Sequence, residues 1–208
     1  MAESDTPTHE KQGALPVTAS AGNVGPAHDR TGRRGPELPA EEIVDLVDVH
    51  DKVVGNATVG RCLEEGLLHR GVAVQVVRSK GGLVMQQRSR RDRWQPGLWT
   101  ISSTGHVKGG EDYQAAAHRE LREELGIDGP LTSVRKYLMP PLTYRGLTEH
   151  EWVSLFTCAT DSPVTIDPIE LEGVRELTEQ ELGRMLDGGT FTPDARIILA
   201  DYLARRSS

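Results

Sequence analysis

Three glutamates of one predicted helix, Glu120, Glu123 and Glu124, are spaced so that they can act together on one ligand. Residues 113–125 contain three alanines and two leucines without proline or glycine, which predicts a helix. At about 100° per residue the three acids fall on one side of it. Like charges at this spacing repel, so they favour a bound cation, and Mg2+ and Mn2+ prefer such oxygen ligands. The alternative is a solvated face whose acids pair with neighbouring arginines.

The rest of this helix supplies the contacts that would hold the three acids in place. Ala117, Leu121 and Leu125 recur on a second side, which is the expected core face. Asp112 is suited to accept a hydrogen bond at the helix start, and Gly126 can adopt the left-handed conformation that ends it. The sequence therefore predicts a capped helix with one buried side and one acidic side.

A glycine loop before the helix extends the pattern. Gly105 is followed after five residues by Glu111, and after seven more by the run RELREELGI at residues 119–127. This spacing resembles the Nudix box, the motif of the Nudix hydrolase superfamily, at each of its defined positions. Because the motif constrains a loop and a helix together, it is far more specific than a single glycine pattern.

The resemblance implies a hydrolase of diphosphates that depends on Mg2+ or Mn2+. Arg119 would pair with Glu111 to brace the loop against the helix, and the backbone at Gly105 would turn close to the metal. Metal ions neutralise a diphosphate and lower the pKa of a bound water that attacks phosphorus. The implied metal-binding residues are Glu120, Glu123, Glu124 and Gly105, and the implied catalytic residues are Glu123, Glu120, Arg119 and Glu111.

A basic loop leads from the predicted sheet toward the box. It contains Arg88, Arg90, Arg91 and Arg93, and Trp94 follows. Guanidinium groups bind phosphate through paired hydrogen bonds, and an indole ring can stack on a base or cover an apolar group. Arg88, Arg93 and Trp94 are therefore the predicted substrate contacts. The alternative is a flexible basic turn beside a buried tryptophan.

Two glutamates, Glu149 and Glu151, alternate with other residues at the start of a predicted strand. Alternate residues of a strand face the same way, so Glu149 and Glu151 would share a face. The surrounding sequence resembles the superfamily branch that contains isopentenyl-diphosphate isomerases and their hydrolase-like bacterial relatives. The runs that carry this resemblance are LH, WQPGLWT, GH and EHE, at residues 68–69, 94–100, 105–106 and 149–151. The resemblance implies a second candidate set, His69, His106, Glu149 and Glu151, which would form a second metal site with acid chemistry. The alternatives are surface acids and structural histidines.

One residue separates the hydrolase hypothesis from the isomerase hypothesis. In the isomerase pattern a cysteine precedes the Gly-His pair, and this chain has Thr104 there. A hydroxyl group is far too weak an acid and base to replace a thiol in proton transfer at a double bond. The expected function is therefore hydrolysis of a nucleoside-type or prenyl-type diphosphate by water attack on phosphorus. A prenyl-diphosphate isomerase and a non-catalytic diphosphate sensor stay as alternatives.

Composition limits the partners and the compartment. The 208 residues carry 24 Lys and Arg against 31 Asp and Glu, a net charge of -7, which argues against nucleic acid as a partner. No apolar run approaches the roughly 20 residues that cross a bilayer, and no apolar signal core is present. Cys62 and Cys158 form neither a disulfide framework nor a metal-thiolate pattern. We expect a cytoplasmic enzyme with a small-molecule diphosphate partner and no membrane association; a homodimer stays open.

The order of elements predicts the fold class. Residues 1–40 hold five prolines and no Phe, Trp or Tyr, so we expect a disordered tail before a Nudix-type domain at 41–206. Strands are predicted at 43–49, 53–55, 72–77, 83–87, 131–138, 149–159 and 170–177, and helices at 58–65, 113–125, 178–186 and 192–206. This order favours an α/β fold, a three-layer α/β/α sandwich with a mixed sheet, which the resemblance also implies.

Overall fold

The computed structural model describes residues 42–206, so the tail predicted for residues 1–40 lies outside the described part. The strands are β1 (Ile43–Val47), β2 (Val53–Thr58), β3 (His69–Val77), β4 (Leu83–Arg88), β5 (Trp99–Ile101), β6 (Ser103–His106), β7 (Leu131–Leu138), β8 (Leu142–Tyr144), β9 (Leu147–Glu149), β10 (Glu151–Ala159) and β11 (Leu171–Leu177). The helices are α1 (Val59–Glu65), α2 (Tyr113–Leu125), α3 (Glu179–Asp187) and α4 (Pro193–Arg206). Within this part of the chain, no helix has the length and apolar character needed to cross a bilayer.

β3 is the centre of a nine-stranded mixed sheet. β10 runs parallel to β3 along its whole length, from the pair Glu151–His69 to the pair Ala159–Val77. On its other edge β3 pairs antiparallel with β6 and meets β1 at one residue. β2, β4, β5, β7 and β11 extend the sheet through antiparallel pairs. The candidate site residues of β3, β6 and β10 are therefore neighbours across the sheet.

The two faces of β3 pack against different helices, because successive side chains of a strand point to opposite faces. Val72, Val74 and Val76 belong to the core that contains the buried side of α2. Ala73 belongs to the core that contains buried residues of α3 and α4. A third, smaller core packs α1 against β1 and β2. The predicted three-layer α/β/α sandwich is confirmed.

The ends of α2 agree with the predicted capping residues, and α1 and α3 begin with caps of the same kind. Thr58, Asp112 and Thr178 each accept a hydrogen bond from the backbone N–H three residues later, at the starts of α1, α2 and α3. Gly66 and Gly126 end α1 and α2 in the left-handed conformation, with φ of 64° and 65°. Asp112 and Gly126 fix the length of α2 and therefore which of its side chains can line a pocket beside the sheet.

Some strand predictions were wrong in detail. Residues 149–159 are not one strand, because the chain leaves the β8–β9 hairpin and enters the main sheet at His150. The predicted strands at residues 72–77 and 83–87 meet at the pair Val77–Leu83 and then separate, and β4 pairs with β5 and β11. β5, β6, β8 and β9 were not predicted, since runs of three or four residues show too little alternation.

Candidate functional site

A pocket of about 620 Å³ lies where α2, β6, β10 and the loop after β4 meet. It draws groups from distant parts of the sequence into one cavity. Its polar lining includes Arg88, Arg91, Arg93, Trp94, Thr104, Gly105, His106, Arg119, Glu120, Glu123, Glu124, Glu149, Glu151 and Asp194. The box glutamates, the basic loop and most of the second candidate set therefore share one pocket.

Arg119 connects the loop and the helix of the box. Its Nη2 donates to Glu111 Oε2 at 2.8 Å and to the His106 carbonyl at 2.9 Å. Its Nη1 lies 2.6 Å from Glu120 Oε1 and 3.4 Å from Glu123 Oε2. Although burial acts in the opposite direction, the Arg119 guanidinium lowers the pKa of Glu111. Arg119 thus braces the loop and also offsets part of the charge of the acidic face.

Glu120 lies directly against the backbone of β6. A Cβ atom at Gly105 would overlap the Glu120 carboxylate, so only glycine permits this approach. Burial raises the pKa of Glu120 to about 7, although the charge of Arg119 acts to lower it. A carboxyl group with this pKa can take up and release a proton near neutral pH.

Glu124 and Glu123 lie in contrasting environments. Glu124 is 7% exposed and accepts hydrogen bonds from the Thr104 N–H at 3.0 Å and from Gln86 Nε2 at 3.2 Å. Burial raises its pKa to about 8, and these donors offset only part of that effect. The Glu123 side chain is 55% exposed. The acidic side of α2 therefore runs from the core to the pocket mouth.

The second candidate set forms a compact group. Within residues 42–206, it is the one group of His, Cys, Asp and Glu whose donor atoms all lie within 4.8 Å of one another: His69, His106, Glu149 and Glu151. His69 Nε2 lies 3.3 Å from Glu149 Oε1 and 3.7 Å from Glu151 Oε1, and His106 Nε2 lies 3.7 Å from Glu149 Oε1. Two imidazoles and two carboxylates at this spacing are suitable ligands for a divalent transition metal.

The surroundings of His69 favour a cation within this group. His69 is fully buried, and its Nδ1 lies 2.8 Å from the Leu67 carbonyl, so Nδ1 carries a proton. A neutral His69 then presents its Nε2 lone pair to Glu149 and Glu151, which are acceptors when ionised. His69 Nε2 and Glu149 Oε1 are buried and have no hydrogen-bond partner in the part of the chain that the structure describes. A divalent cation would satisfy these acceptors together, with the Leu67 carbonyl holding the ring orientation.

The four members of this group share charge unequally. Burial opposes protonation of His106, but the nearby Glu149 carboxylate raises its pKa to about 9. Burial also opposes ionisation of Glu149, yet the hydrogen bond and charge of His106 lower its pKa well below the usual range. For Glu151, burial and then the charge of Glu149 raise the pKa. His106 therefore holds a proton that a bound cation would displace.

Two glycines on neighbouring strands allow the carboxylates to approach the sheet. A Cβ atom at Gly71 of β3 would overlap the Glu151 carboxylate, as one at Gly105 of β6 would overlap Glu120. In the β3–β6 ladder, Gly71 pairs with His106 and the next residue pairs with Gly105. The lack of a side chain at Gly71 and at Gly105 therefore leaves room for the carboxylates of Glu151 and Glu120 beside the sheet.

The chain matches the model of the NUDIX domain over residues 67–200. It belongs to the Nudix family. Isopentenyl-diphosphate Delta-isomerase 2 of Photorhabdus laumondii is 39% identical over 116 residues, which cover 56% of this chain and 66% of that relative. An uncharacterized Nudix hydrolase of Yersinia pestis is 29% identical over 167 residues, which cover 80% of this chain and 88% of that relative.

A solved structure gives the same fold. DR0079 from Deinococcus radiodurans matches with a TM-score of 0.65 and 22% identity, covering 77% of this chain and 98% of that one. The predicted Nudix superfamily is confirmed. The predicted branch is confirmed as well, because the relatives include both isomerases and uncharacterized Nudix hydrolases.

The basic loop of this Nudix domain uses Arg88 as a brace. Arg88 Nη2 lies 2.5 Å from Asp92 Oδ2, and Arg88 Nε donates to the Trp94 carbonyl at 3.0 Å. Arg91 and Arg93 also line the pocket, and neither guanidinium has an ion-pair partner within residues 42–206. Arg93 is therefore freer than Arg88 to bind phosphate, and Arg91 is a further candidate.

Trp94 is mostly covered by its neighbours. It is 7% exposed, and its ring meets the ring of Tyr144 edge-on with centroids 6.0 Å apart. It nevertheless lines the pocket, so contact with the organic part of a substrate stays a prediction.

Neither thiol of this Nudix domain lines the pocket, whereas Thr104 does. Cys62 is buried in the core under α1, and Cys158 is buried in the core under α2. Burial raises the pKa of Cys62 to about 11. The pocket therefore has a hydroxyl group at the position where an isomerase-type thiol is expected.

Four residues of the site were not predicted from the sequence: Gly71, Gln86, Arg91 and Asp194. Gly71 was missed because the predicted strand began one residue later, and Arg91 was one of several adjacent arginines. Asp194 follows Pro193 at a predicted helix start, which indicates a helix terminus and not a pocket. Their roles depend on contacts between distant segments, so local patterns carry little signal for them.

Proposed function

We propose that this Nudix domain uses Mg2+ or Mn2+ to hydrolyse the diphosphate linkage of an organic diphosphate. The observation that carries the proposal is one pocket lined by the box carboxylates, by His106, Glu149 and Glu151 of the compact group, and by Arg91 and Arg93, which have no ion-pair partner among the described residues. The carboxylates suit divalent cations, and the arginines suit phosphate oxygens.

Two sets of side chains are proposed to hold metal. Glu120, Glu123 and Glu124, with the backbone near Gly105, form the box set, whose oxygens suit Mg2+ or Mn2+. His69, His106, Glu149 and Glu151 form the second set, whose imidazoles suit Mn2+ better than Mg2+. The buried Nε2 of His69, which has no hydrogen-bond partner among the described residues, supports this second assignment. When bound, the metal neutralises the diphosphate and lowers the pKa of the attacking water.

The side chains of the pocket have separate tasks in this proposal. Arg93 holds the phosphate, and Arg119 with Glu111 keeps the box loop against α2. Glu120 accepts the proton of the attacking water at a carboxylate oxygen. The buried setting of Glu120 against Gly105 limits its movement, which favours a fixed geometry for proton transfer.

A substrate panel with matched variants tests this function. The full chain with Mg2+ or Mn2+ is expected to release monophosphate or phosphate from nucleoside diphosphate derivatives or from prenyl diphosphates. Glu123→Gln and Glu124→Gln are each expected to lower kcat/KM by about 100-fold or more, because each removes a charged metal ligand. Glu64→Gln, the same change at an exposed position of α1, is the control. Full activity in both pocket variants would contradict the proposal.

An isomerase acting on a prenyl diphosphate is the second candidate, because the compact His and Glu group and the Photorhabdus relative favour it. Thr104 weighs against it, since no thiol lines the pocket. Incubation of isopentenyl diphosphate in heavy water distinguishes the two functions. Deuterium in the recovered diphosphate without phosphate release indicates isomerisation, and phosphate release indicates hydrolysis.

A further inference from the structure

Asp194 lies in the first turn of α4 and lines the same pocket as the two acidic groups. Its Oδ1 is buried and has no hydrogen-bond partner among the described residues. None of the proposed steps uses this carboxyl group. Asp194 Oδ1 is thus a polar atom in the pocket that can still accept a hydrogen bond.

Burial raises the pKa of Asp194, while hydrogen bonds from the Thr192 side chain and from the backbone N–H of Asp194 act to lower it, but Oδ1 has no partner within residues 42–206. Arg88 is close enough for its charge to act on Asp194, but its guanidinium contacts Asp92 and the Trp94 carbonyl. Glu149 is an acceptor of the same sign, and its charge adds to burial in raising the pKa of Asp194. Ile198, one turn further along α4, gives the pocket an apolar surface beside it.

A buried carboxylate oxygen without a donor is costly, so a ligand that supplies a donor gains affinity there. A hydrocarbon group in the same place would displace water and leave Oδ1 unpaired. Sites built to hydrogen-bond a hydroxyl group discriminate strongly against analogues that lack it.

We infer that Asp194 is a specificity-determining residue that accepts a hydrogen bond from a hydroxyl group on the organic part of the diphosphate substrate. The inference rests on the proposed function and narrows it: the substrate is a hydroxylated diphosphate of the sugar or nucleoside class, and not a plain prenyl diphosphate. The hydroxyl hydrogen donates to Oδ1, and no covalent bond changes at this residue.

Calorimetry with two probes that resist cleavage tests the inference on the full chain with Mg2+ present. The probes are the methylene-bridged analogues of ADP, which carries ribose hydroxyls, and of geranyl diphosphate, which carries none. We expect Asp194→Leu to weaken binding of the ADP analogue about 10- to 100-fold and to leave or improve binding of the geranyl analogue. Asp194→Asn keeps an oxygen acceptor and is expected to lose less than about fivefold.

Asp187→Asn, at the exposed end of α3, is the control and is expected to bind both probes as the wild type does. If Asp194→Leu fails to fold in a thermal melt, Asp194→Ala replaces it. Equal weakening of both probes, or no change for either, would overturn the inference. Hydrolysis of ADP and geranyl diphosphate is measured in parallel. If Asp194→Leu weakens only the ADP analogue but neither diphosphate is hydrolysed, the role of Asp194 is supported and the proposed function is contradicted. If a diphosphate is hydrolysed but Asp194→Leu affects both probes equally, the proposed function is supported and the role of Asp194 is contradicted.

Discussion

Arg88 and Arg93 belong to one loop but differ in what their guanidinium groups contact. Arg88 is held by Asp92 and by the Trp94 carbonyl, so it stabilises the loop itself. Arg93 lines the pocket without an ion-pair partner among the described residues. The same residue type therefore serves structure at one position and is free for ligand at the other.

Alanine substitutions separate these two roles. We predict that Arg93→Ala raises KM for a diphosphate substrate about tenfold with little change in kcat, because a lost charge-assisted hydrogen bond is worth about 1.5–3 kcal/mol. Arg88→Ala is expected to lower the free energy of unfolding by about 1–2 kcal/mol, because Asp92 and the Trp94 carbonyl lose a donor. Steady-state kinetics and urea unfolding measure both effects. Arg90→Ala is the control, and the same KM in the Arg90 and Arg93 variants would contradict the prediction.

Residue types were easier to predict than residue pairings. The sequence indicates arginines suited to phosphate and acids suited to metal, because those preferences belong to the side chains themselves. The partner of each side chain depends on loop geometry, so the Arg88–Asp92 pair and the burial of Glu124 were not predicted. The assignment of metal and substrate contacts stays a prediction.

At the scale of elements, the β3–β6 ladder sets the depth of the pocket. Gly71 lies opposite His106, and a Cβ atom at Gly71 would overlap the Glu151 carboxylate. Alanine suits a strand at least as well as glycine, so the backbone would tolerate the change better than the site would.

We predict that Gly71→Ala lowers Mn2+ affinity at least about tenfold, because Glu151 must leave its position beside His69. The free energy of unfolding without metal should change by less than about 1 kcal/mol. Calorimetry with Mn2+ and urea unfolding in EDTA measure the two quantities. Gly183→Ala in α3 is the matched control, since nothing lies within 4 Å of a Cβ atom there. Unchanged Mn2+ affinity in the Gly71 variant would remove Glu151 from the proposed metal site.

Helices were predicted more accurately than strands for a physical reason. Caps such as Asp112 and Gly126 act within a few residues, so their signal is local in sequence. β6 is a strand because residues 71–74 of β3 pair with it, and its own sequence, STGH, has little strand preference. The short elements that carry His106 and Glu149 were therefore the hardest to predict.

At the scale of the whole molecule, Asp51 joins segments that are distant in sequence. Its carboxylate accepts hydrogen bonds from Arg70 Nε of β3 at 2.6 Å and from the Tyr113 hydroxyl of α2 at 3.0 Å, and it also pairs with Lys136 of β7. Although burial acts in the opposite direction, hydrogen bonds from these three groups lower the pKa of Asp51 below 3.8. The turn after β1 is thereby tied to the sheet and to the box helix.

This network predicts a pH-dependent contribution to stability. Because the folded state lowers the pKa of Asp51, its contribution is fully present above 3.8 and is lost as the pH falls through the lower folded value. We predict that Asp51→Asn lowers the free energy of unfolding by about 1–3 kcal/mol at neutral pH, and that the difference from wild type shrinks below about pH 4. Urea unfolding across this range measures it, with Asp187→Asn as the control. A difference that does not depend on pH would contradict the assigned role of the carboxylate.

The layer order was predictable for the molecule as a whole, because the alternation of strand and helix segments leaves few ways to bury their apolar faces. The order of neighbouring strands was not predictable, since β10 pairs with β3 across about 80 residues of intervening chain. That pairing brings Glu151 to His69, so the compact group of donors follows from topology more than from any local motif.

The two cysteines have a practical consequence for work on this domain. Cys62 and Cys158 are both fully buried, in the cores under α1 and under α2 respectively. A thiol in such a place reacts with an alkylating reagent only when its own surroundings open to solvent. The rate at which each thiol reacts therefore measures local opening of the core around it. Cys62 reports on the small core of α1, β1 and β2, and Cys158 reports on the core that contains α2.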